Sequence, residues 1–196
     1  MSTVEVDICN SALIKLGAEP INDLSDDSKE ARLCRLQFPK IRDAVLRSAP
    51  WSFAMKRITL DHLAGQMLEF GDGNIFQIPI DVVRIWKTYD GSPRYAYTIE
   101  EDKFIANVDV AQVWAVVNTV QPAYWKADFK EALACQLAAD ICYSMTNSNT
   151  LKAGLVQEAE LWVQRARSTG SQEVTPEDFR FDEFLNSRRG GRAFYE

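Results

Sequence analysis

Apolar positions recur at helical spacing over the first fifty or so residues, break into short alternating runs in the middle, and return to helical spacing afterwards. Val4, Ile8, Cys9, Ala12, Leu13 and Leu16 share one face, which predicts a helix over 4–16. Ser2 or Thr3 can cap it, and Glu5 sits near the positive end of its dipole. Gly17 is placed to end it, with Pro20 following. Ala31, Cys34, Phe38, Ile41 and Val45 step by three and four, predicting a second helix over 26–49 with Asp26, Asp27 and Glu30 in its first turn. Pro39 removes one backbone donor inside it and should kink it, and Pro50 stops it.

From Trp51 the period shortens. Strands are expected near 52–59, 75–78, 82–89, 94–98, 103–106 and 112–120. Gly71-Asp72-Gly73-Asn74, Asp90-Gly91-Ser92-Pro93 and Glu100-Glu101-Asp102 punctuate them. Helix returns over 123–146, where Phe129, Leu133, Leu137, Ile141 and Met145 track one side. A last helix over 150–168 follows, with Asn149 or Thr150 as its cap and Gly170 closing it. The fold class is α+β: a bundle of about four helices, a small antiparallel sheet inserted over 51–122, and an extended C-terminal tail. The domain reading is one body over 1–173 and a tail over 174–196.

That tail is too polar and glycine-broken to build a core, yet it carries Phe179, Phe181, Phe184, Leu185, Phe194 and Tyr195 among charges. Aromatic anchors beside an arginine cluster at Arg188, Arg189 and Arg192 point to a segment that orders on a partner. The plainer alternative is a tail that packs back on its own domain.

Composition narrows the class. At 196 residues, 46% hydrophobic and 26% charged, the chain can bury one real core. No apolar run approaches bilayer length, and the N-terminus lacks a basic region followed by an apolar block, so use in a cytosol is expected. Cys9, Cys34, Cys135 and Cys142 have no zinc-type spacing and read as small buried hydrophobes. The net charge of −6 concentrates in residues 61–122, which hold nine acidic and four basic side chains. Such a segment repels nucleic acid. Arg32, Arg35, Lys40, Arg42 and Arg47 on the second helix could touch phosphates, but a solvated or subunit-facing surface suits an acidic chain better.

Catalytic patterns are thin. His62, the single histidine, falls in an expected loop, so a histidine triad would rest on one residue. Gly71-Asp72-Gly73 is too short and acidic for a phosphate loop and reads as a hairpin turn. Asp26-Asp27 and Glu100-Glu101-Asp102 lack a calcium-loop pattern and read as a helix start and a solvated turn. The expectation is a non-enzyme with no catalytic residues, cofactor or metal.

Four local patterns then stand in a familiar order. They are Ile8-Cys9-Asn10-Ser11-Ala12-Leu13-Ile14-Lys15-Leu16-Gly17 with Ile21-Asn22-Asp23-Leu24, and Asp43 to Ala54 with Pro50-Trp51-Ser52-Phe53-Ala54 at its end. Pro79-Ile80-Asp81-Val82-Val83-Arg84 and Phe129-Lys130-Glu131-Ala132-Leu133-Ala134 complete the set. Together they resemble the head-to-tail adaptor proteins of tailed bacteriophages, the tail tubular protein A family. Pro50 to Ala54 is the most specific part, and the resemblance covers nearly the whole chain.

The resemblance implies a structural virion protein at the head–tail junction, assembled in the host cytoplasm. Such adaptors form a self-assembled ring, usually twelvefold, beneath the portal ring, with a β-rich part toward the tail or nozzle protein. DNA leaves through the ring without specific binding, and no membrane is involved. The C-terminal segment clasps the portal. By residue type, Phe179, Phe181, Phe184 and Leu185 are its expected anchors, and Arg188, Arg189 and Arg192 its charged contacts. Asp72, Glu100, Glu101 and Asp102 are the expected channel-facing acids. The alternatives are a tail-completion or neck protein, a host protein-binding module, and a hydrolase using acids of the β insert.

Overall fold

The computed structural model describes residues 3–66, 68, 71–88, 96–118 and 121–173, with side chains along the helix over 149–173 described to Arg165 and at Ser168. Helices α1 (Thr3–Lys15), α2 (Lys29–Ser48), α3 (Ala127–Thr146) and α4 (Asn149–Glu173) form the bundle. Between α2 and α3 run β1 (Met55–Thr59), β2 (Asp61–His62), β3 (Asn74–Gln77), β4 (Val82–Thr88), β5 (Tyr97–Glu100), β6 (Lys103–Ala106) and β7 (Gln112–Val117), then a 3₁₀ turn at Pro122–Tyr124. The α+β reading holds.

Where boundaries differ from expectation, hydrogen bonds give the reason. Helix α2 starts at Lys29, not residue 26, because the Ser28 hydroxyl accepts from the Ala31 amide and caps it. Asp26 instead accepts from the Asn22 and Asp23 amides, stapling the loop ahead of the helix. Helix α4 is capped by Ser148, whose hydroxyl accepts from the Leu151 amide, rather than by Asn149 or Thr150. Its backbone stays helical through Gly170 to Glu173. Helix α2 runs through Pro39 as one element, with the ring exposed. Gly17 ends α1 as expected: at φ +69° it lets the Ala18 amide reach Leu13 O and its own amide reach Ile14 O.

The insert is two sheets rather than one, ordered β1-β7-β4 and β2-β3-β6-β5, all antiparallel. Leu60 carries the chain from the first sheet into the second, its amide bonded to Ala111 O. His62, expected in a loop, lies on β2, exposed and near the Phe76 ring. Of the strand expected over 94–98, residues 97 and 98 open β5, and residues 89–95, with the expected Asp90-Gly91-Ser92-Pro93 turn, and 119–120 lie outside the described residues. Ile85, Val113 and Ala115 of the first sheet meet Phe76, Phe104 and Ala106 of the second in one buried cluster. Val116, on the opposite face of β7, joins the larger helical core with Leu13, Phe38, Leu133 and Leu137. The first sheet is therefore shared between the two cores.

Candidate functional site

The segment Pro50 to Ala54 is the hinge between bundle and sheets. Helix ends leave carbonyls without partners, and here side chains reach two of them, Val45 O and Arg47 O. The Trp51 indole N–H donates to Val45 O at 2.8 Å, the Ser48 hydroxyl donates to the same oxygen, and Arg84 Nη1 donates to Arg47 O at 3.0 Å. The Trp51 ring meets Phe129 edge-on at 4.9 Å, and Phe53 and Trp125 meet Phe129 at 5.0 and 5.2 Å. Ala54 is fully buried, and its carbonyl accepts from the Val117 amide. The Pro-Trp-Ser-Phe-Ala element fixes where the sheets stand on the bundle.

The four expected acids do not form one patch. Glu100, Glu101 and Asp102 lie at the β5–β6 hairpin, all exposed, beside Gln77 at the C-terminal end of β3. Asp72 precedes Asn74 at the other end of β3. The strand between covers roughly 10 Å, so the two positions cap opposite ends of the second sheet. Gln77 Nε2 donates to Asp102 Oδ2 at 2.9 Å and holds that carboxyl below the usual carboxylate range. Glu101 adopts a left-handed φ of +54° to close the hairpin.

A cationic face lies on the first sheet. Val113 and Ala115 point into the inter-sheet core, so Trp114 points to the other side of β7. Arg57 of β1 and Lys87 of β4 sit in register with it on either side. Their charged groups lie 4.4 and 5.0 Å from the indole centroid, and Arg84 lies 4.6 Å from that of Trp86. The Trp114 indole N–H is buried without a hydrogen-bond partner. One signal of this face is legible along the chain, cations at 57 and 87 and tryptophans at 86 and 114, but only strand register unites them.

A second grouping lies inside the bundle. Lys15 Nζ is 2.7 Å from Glu131 Oε1 and 3.1 Å from Glu158 Oε1, with the Cys135 thiol beside them. Burial opposes the Lys15 charge, but the hydrogen bonds to Glu131 and Glu158 outweigh it and raise its pKa. The same hydrogen bond from Lys15 lowers the Glu158 pKa. Burial pushes the Cys135 thiol up to about 11, which makes it a poor nucleophile. Glu131, Cys135 and Glu158 have metal-ligand spacing, but the lysine ammonium already supplies the cation between the carboxylates. All four cysteines are buried and free.

A groove of about 420 Å³ runs between α2, α3 and α4, lined by Ile41, Val45, Ala159 and Val163 with Ser48 and Gln164 at its polar side. The basic residues of α2 are dispersed. Arg32 pairs with Asp27, Arg42 with Asp43, and Arg47 donates to Val83 O, while Arg35 and Lys40 are exposed. Phe179, Phe181, Phe184, Leu185, Arg188, Arg189 and Arg192 lie outside the described residues. Among the described residues no helix is long and apolar enough to cross a membrane. Compared with known proteins, the chain matches no family model and no curated sequence.

Proposed function

We propose that this chain is a structural virion protein, a head-to-tail adaptor that assembles as a ring under a phage portal and links the capsid to the tail. The observation that carries this reading is Pro50-Trp51-Ser52-Phe53-Ala54, the most specific element of the resemblance. It sits where an adaptor needs a rigid joint, between a helical bundle and a β-rich part. A second support is the exposure of large apolar side chains across the surface, with Ile80 fully exposed and Ile14, Leu36 and Tyr124 each more than half exposed. Side chains of this kind suit a subunit that finishes its burial in an assembly.

In this reading the partners are the portal ring, a tail or nozzle protein, and further copies of the chain, twelve in the family's usual ring. DNA passes through without specific binding. The tail, with Phe179, Phe181, Phe184, Leu185 and the arginines at 188, 189 and 192, docks on the portal. Its ordering cost is met only on that partner.

The test is native mass of the purified chain, alone and mixed with portal rings, comparing the full chain with one truncated at Thr175. A ring that forms on the portal only with the tail present supports both the adaptor role and the tail's part in it. A chain that binds no portal, with or without the tail, sinks the reading and favours a tail-completion protein or a host binding module.

A further inference from the structure

The two sheets carry opposite charge. Strands β1, β7 and β4 hold Lys56, Arg57, Arg84 and Lys87 and no acidic residue. The β5–β6 hairpin holds Glu100, Glu101 and Asp102 against Lys103. In a chain of net charge −6, a strand layer with only cationic charges stands apart from its surroundings.

The geometry keeps these two surfaces apart within one molecule. Arg57, Trp114 and Lys87 occupy the side of the first sheet that faces away from the inter-sheet core, two residues along β7 from Val116, where that same side packs on the bundle, and Arg57 there is exposed. The acidic hairpin belongs to the second sheet, across that core. A hairpin from the same chain therefore does not meet the cationic face.

We propose that the cationic face of the β1-β7-β4 sheet receives the acidic β5–β6 hairpin of a second copy of the chain. The proposal rests on the ring-forming reading above and names the surfaces that would join neighbouring subunits. Because the two surfaces differ, the contact is head-to-tail, the type that closes into a ring by rotation.

Three features fit the surfaces to each other. Arg57, Lys87 and Arg84 are held against indole rings, so docking orders less side chain than it would for free cations. The hairpin is equally set: Gln77 fixes Asp102, and the backbone of Glu101 is locked in its turn. Strand β5 is an edge strand of its sheet, and Ile99, next to Glu100 along it, is 47% exposed. It offers apolar area to meet the tryptophans beside complementary charge.

Sedimentation velocity of the full chain, alone and on portal rings, at low and high salt, tests this. One variant combines Arg57→Glu with Lys87→Glu, a second combines Glu100→Lys with Glu101→Lys, and a third carries all four changes. Thermal melting by circular dichroism establishes that each is folded. Each charge-reversed pair should raise the concentration needed for association by about tenfold or more. The third variant, and an equimolar mixture of the first two, should recover association, because every contact again joins opposite charges. High salt should weaken association of the wild type.

Wild-type chains that stay monomeric both alone and on portal rings overturn the proposal. So do folded single-side variants that associate as the wild type does, or a third variant and mixture that fail to recover. If truncation at Thr175 abolishes association without portal, the face belongs to the tail and the proposal falls. If the charge variants alter only the retardation of duplex DNA, the face is a phosphate-binding surface and the proposal falls as well. Rings on the portal that ignore both charge reversals would overturn this contact and leave the adaptor reading standing. Charge-swappable association in a chain that binds no portal would do the reverse.

Discussion

Arg47 and Arg84 hold each other's strand and helix by crossed hydrogen bonds. Arg47 Nη1 donates to Val83 O at 3.3 Å, and Arg84 Nη1 donates to Arg47 O at 3.0 Å. Two like charges are brought side by side, and the negative end of the α2 dipole favours both. The pair ties the end of α2 to β4. Arg84→Ala should cost about 1 kcal/mol of unfolding free energy in urea, since a neutral acceptor at an exposed site is worth little more. Arg84→Lys should lose nearly as much, because a single ammonium does not reproduce the guanidinium's aim. A loss above about 3 kcal/mol would mean that the link carries more than a cap.

Trp51 joins the helix end to the aromatic core. Trp51→Phe leaves Val45 O with its Ser48 donor, so the carbonyl is not stranded. The expected cost is about 2 kcal/mol, from one hydrogen bond and lost ring volume. Trp51→Ala should cost about 3–5 kcal/mol. Equal losses for the two variants in denaturant titrations would show that the indole N–H, rather than ring packing, dominates.

Asn10 closes the loop after α1 with both ends of its amide, donating to Ile21 O at 2.9 Å and accepting from the Ile21 amide at 2.8 Å. Asn10→Ala leaves two backbone groups of a buried residue without partners and should cost about 2–3 kcal/mol. Asn10→Asp keeps the acceptor and loses the donor, so it should fall between. Thermal melting of the three proteins side by side orders them.

The Lys15–Glu158 pair predicts a pH dependence on the acid side. The folded-state pKa of Glu158 is lowered, so its contribution is present above the ordinary glutamate value of 4.5 and is lost as pH falls through the folded value. The Lys15 pKa is raised, so its side of the same interaction persists below the ordinary lysine value and is lost only at strongly alkaline pH, as pH rises through the folded value. Glu158 is 44% exposed, and Glu158→Gln should cost less than about 1 kcal/mol at neutral pH. The variant should lose less stability than wild type between pH 5 and about 3. Parallel curves for the two proteins over that range would remove Glu158 from the acid response.

Glu101 adopts a left-handed backbone, which favours glycine. Glu101→Gly should therefore raise stability by about 0.5–1 kcal/mol in the isolated chain. If the acidic hairpin docks on a second copy, the same variant should weaken association. A variant neither more stable nor weaker in association would remove both claims for this residue.

Much of the fold was legible along the chain. The helical stripes through Leu13, Phe38, Leu133 and Leu155 are buried as their spacing implies. Gly17 and Pro50 fall where helices end because their backbone restrictions act locally. Caps were less legible: Ser28 and Ser148 stand among other short polar residues, and only hydrogen-bond geometry selects them. The acids at 72 and 100–102 look alike in sequence, but strand pairing sends them to opposite ends of one sheet.

The sequence by itself determined the element order and the Pro50-Trp51 break, since each rests on local backbone preference or on the apolar period of one element. Only the tertiary structure decided that the insert is two sheets, that Lys15 lies between two glutamates 116 and 143 residues away, and that cations from two strands flank one tryptophan. Those relations depend on register between distant segments, and register is set by burying Val116 on one face of β7 and Val113 and Ala115 on the other, a quantity no single segment of the chain contains.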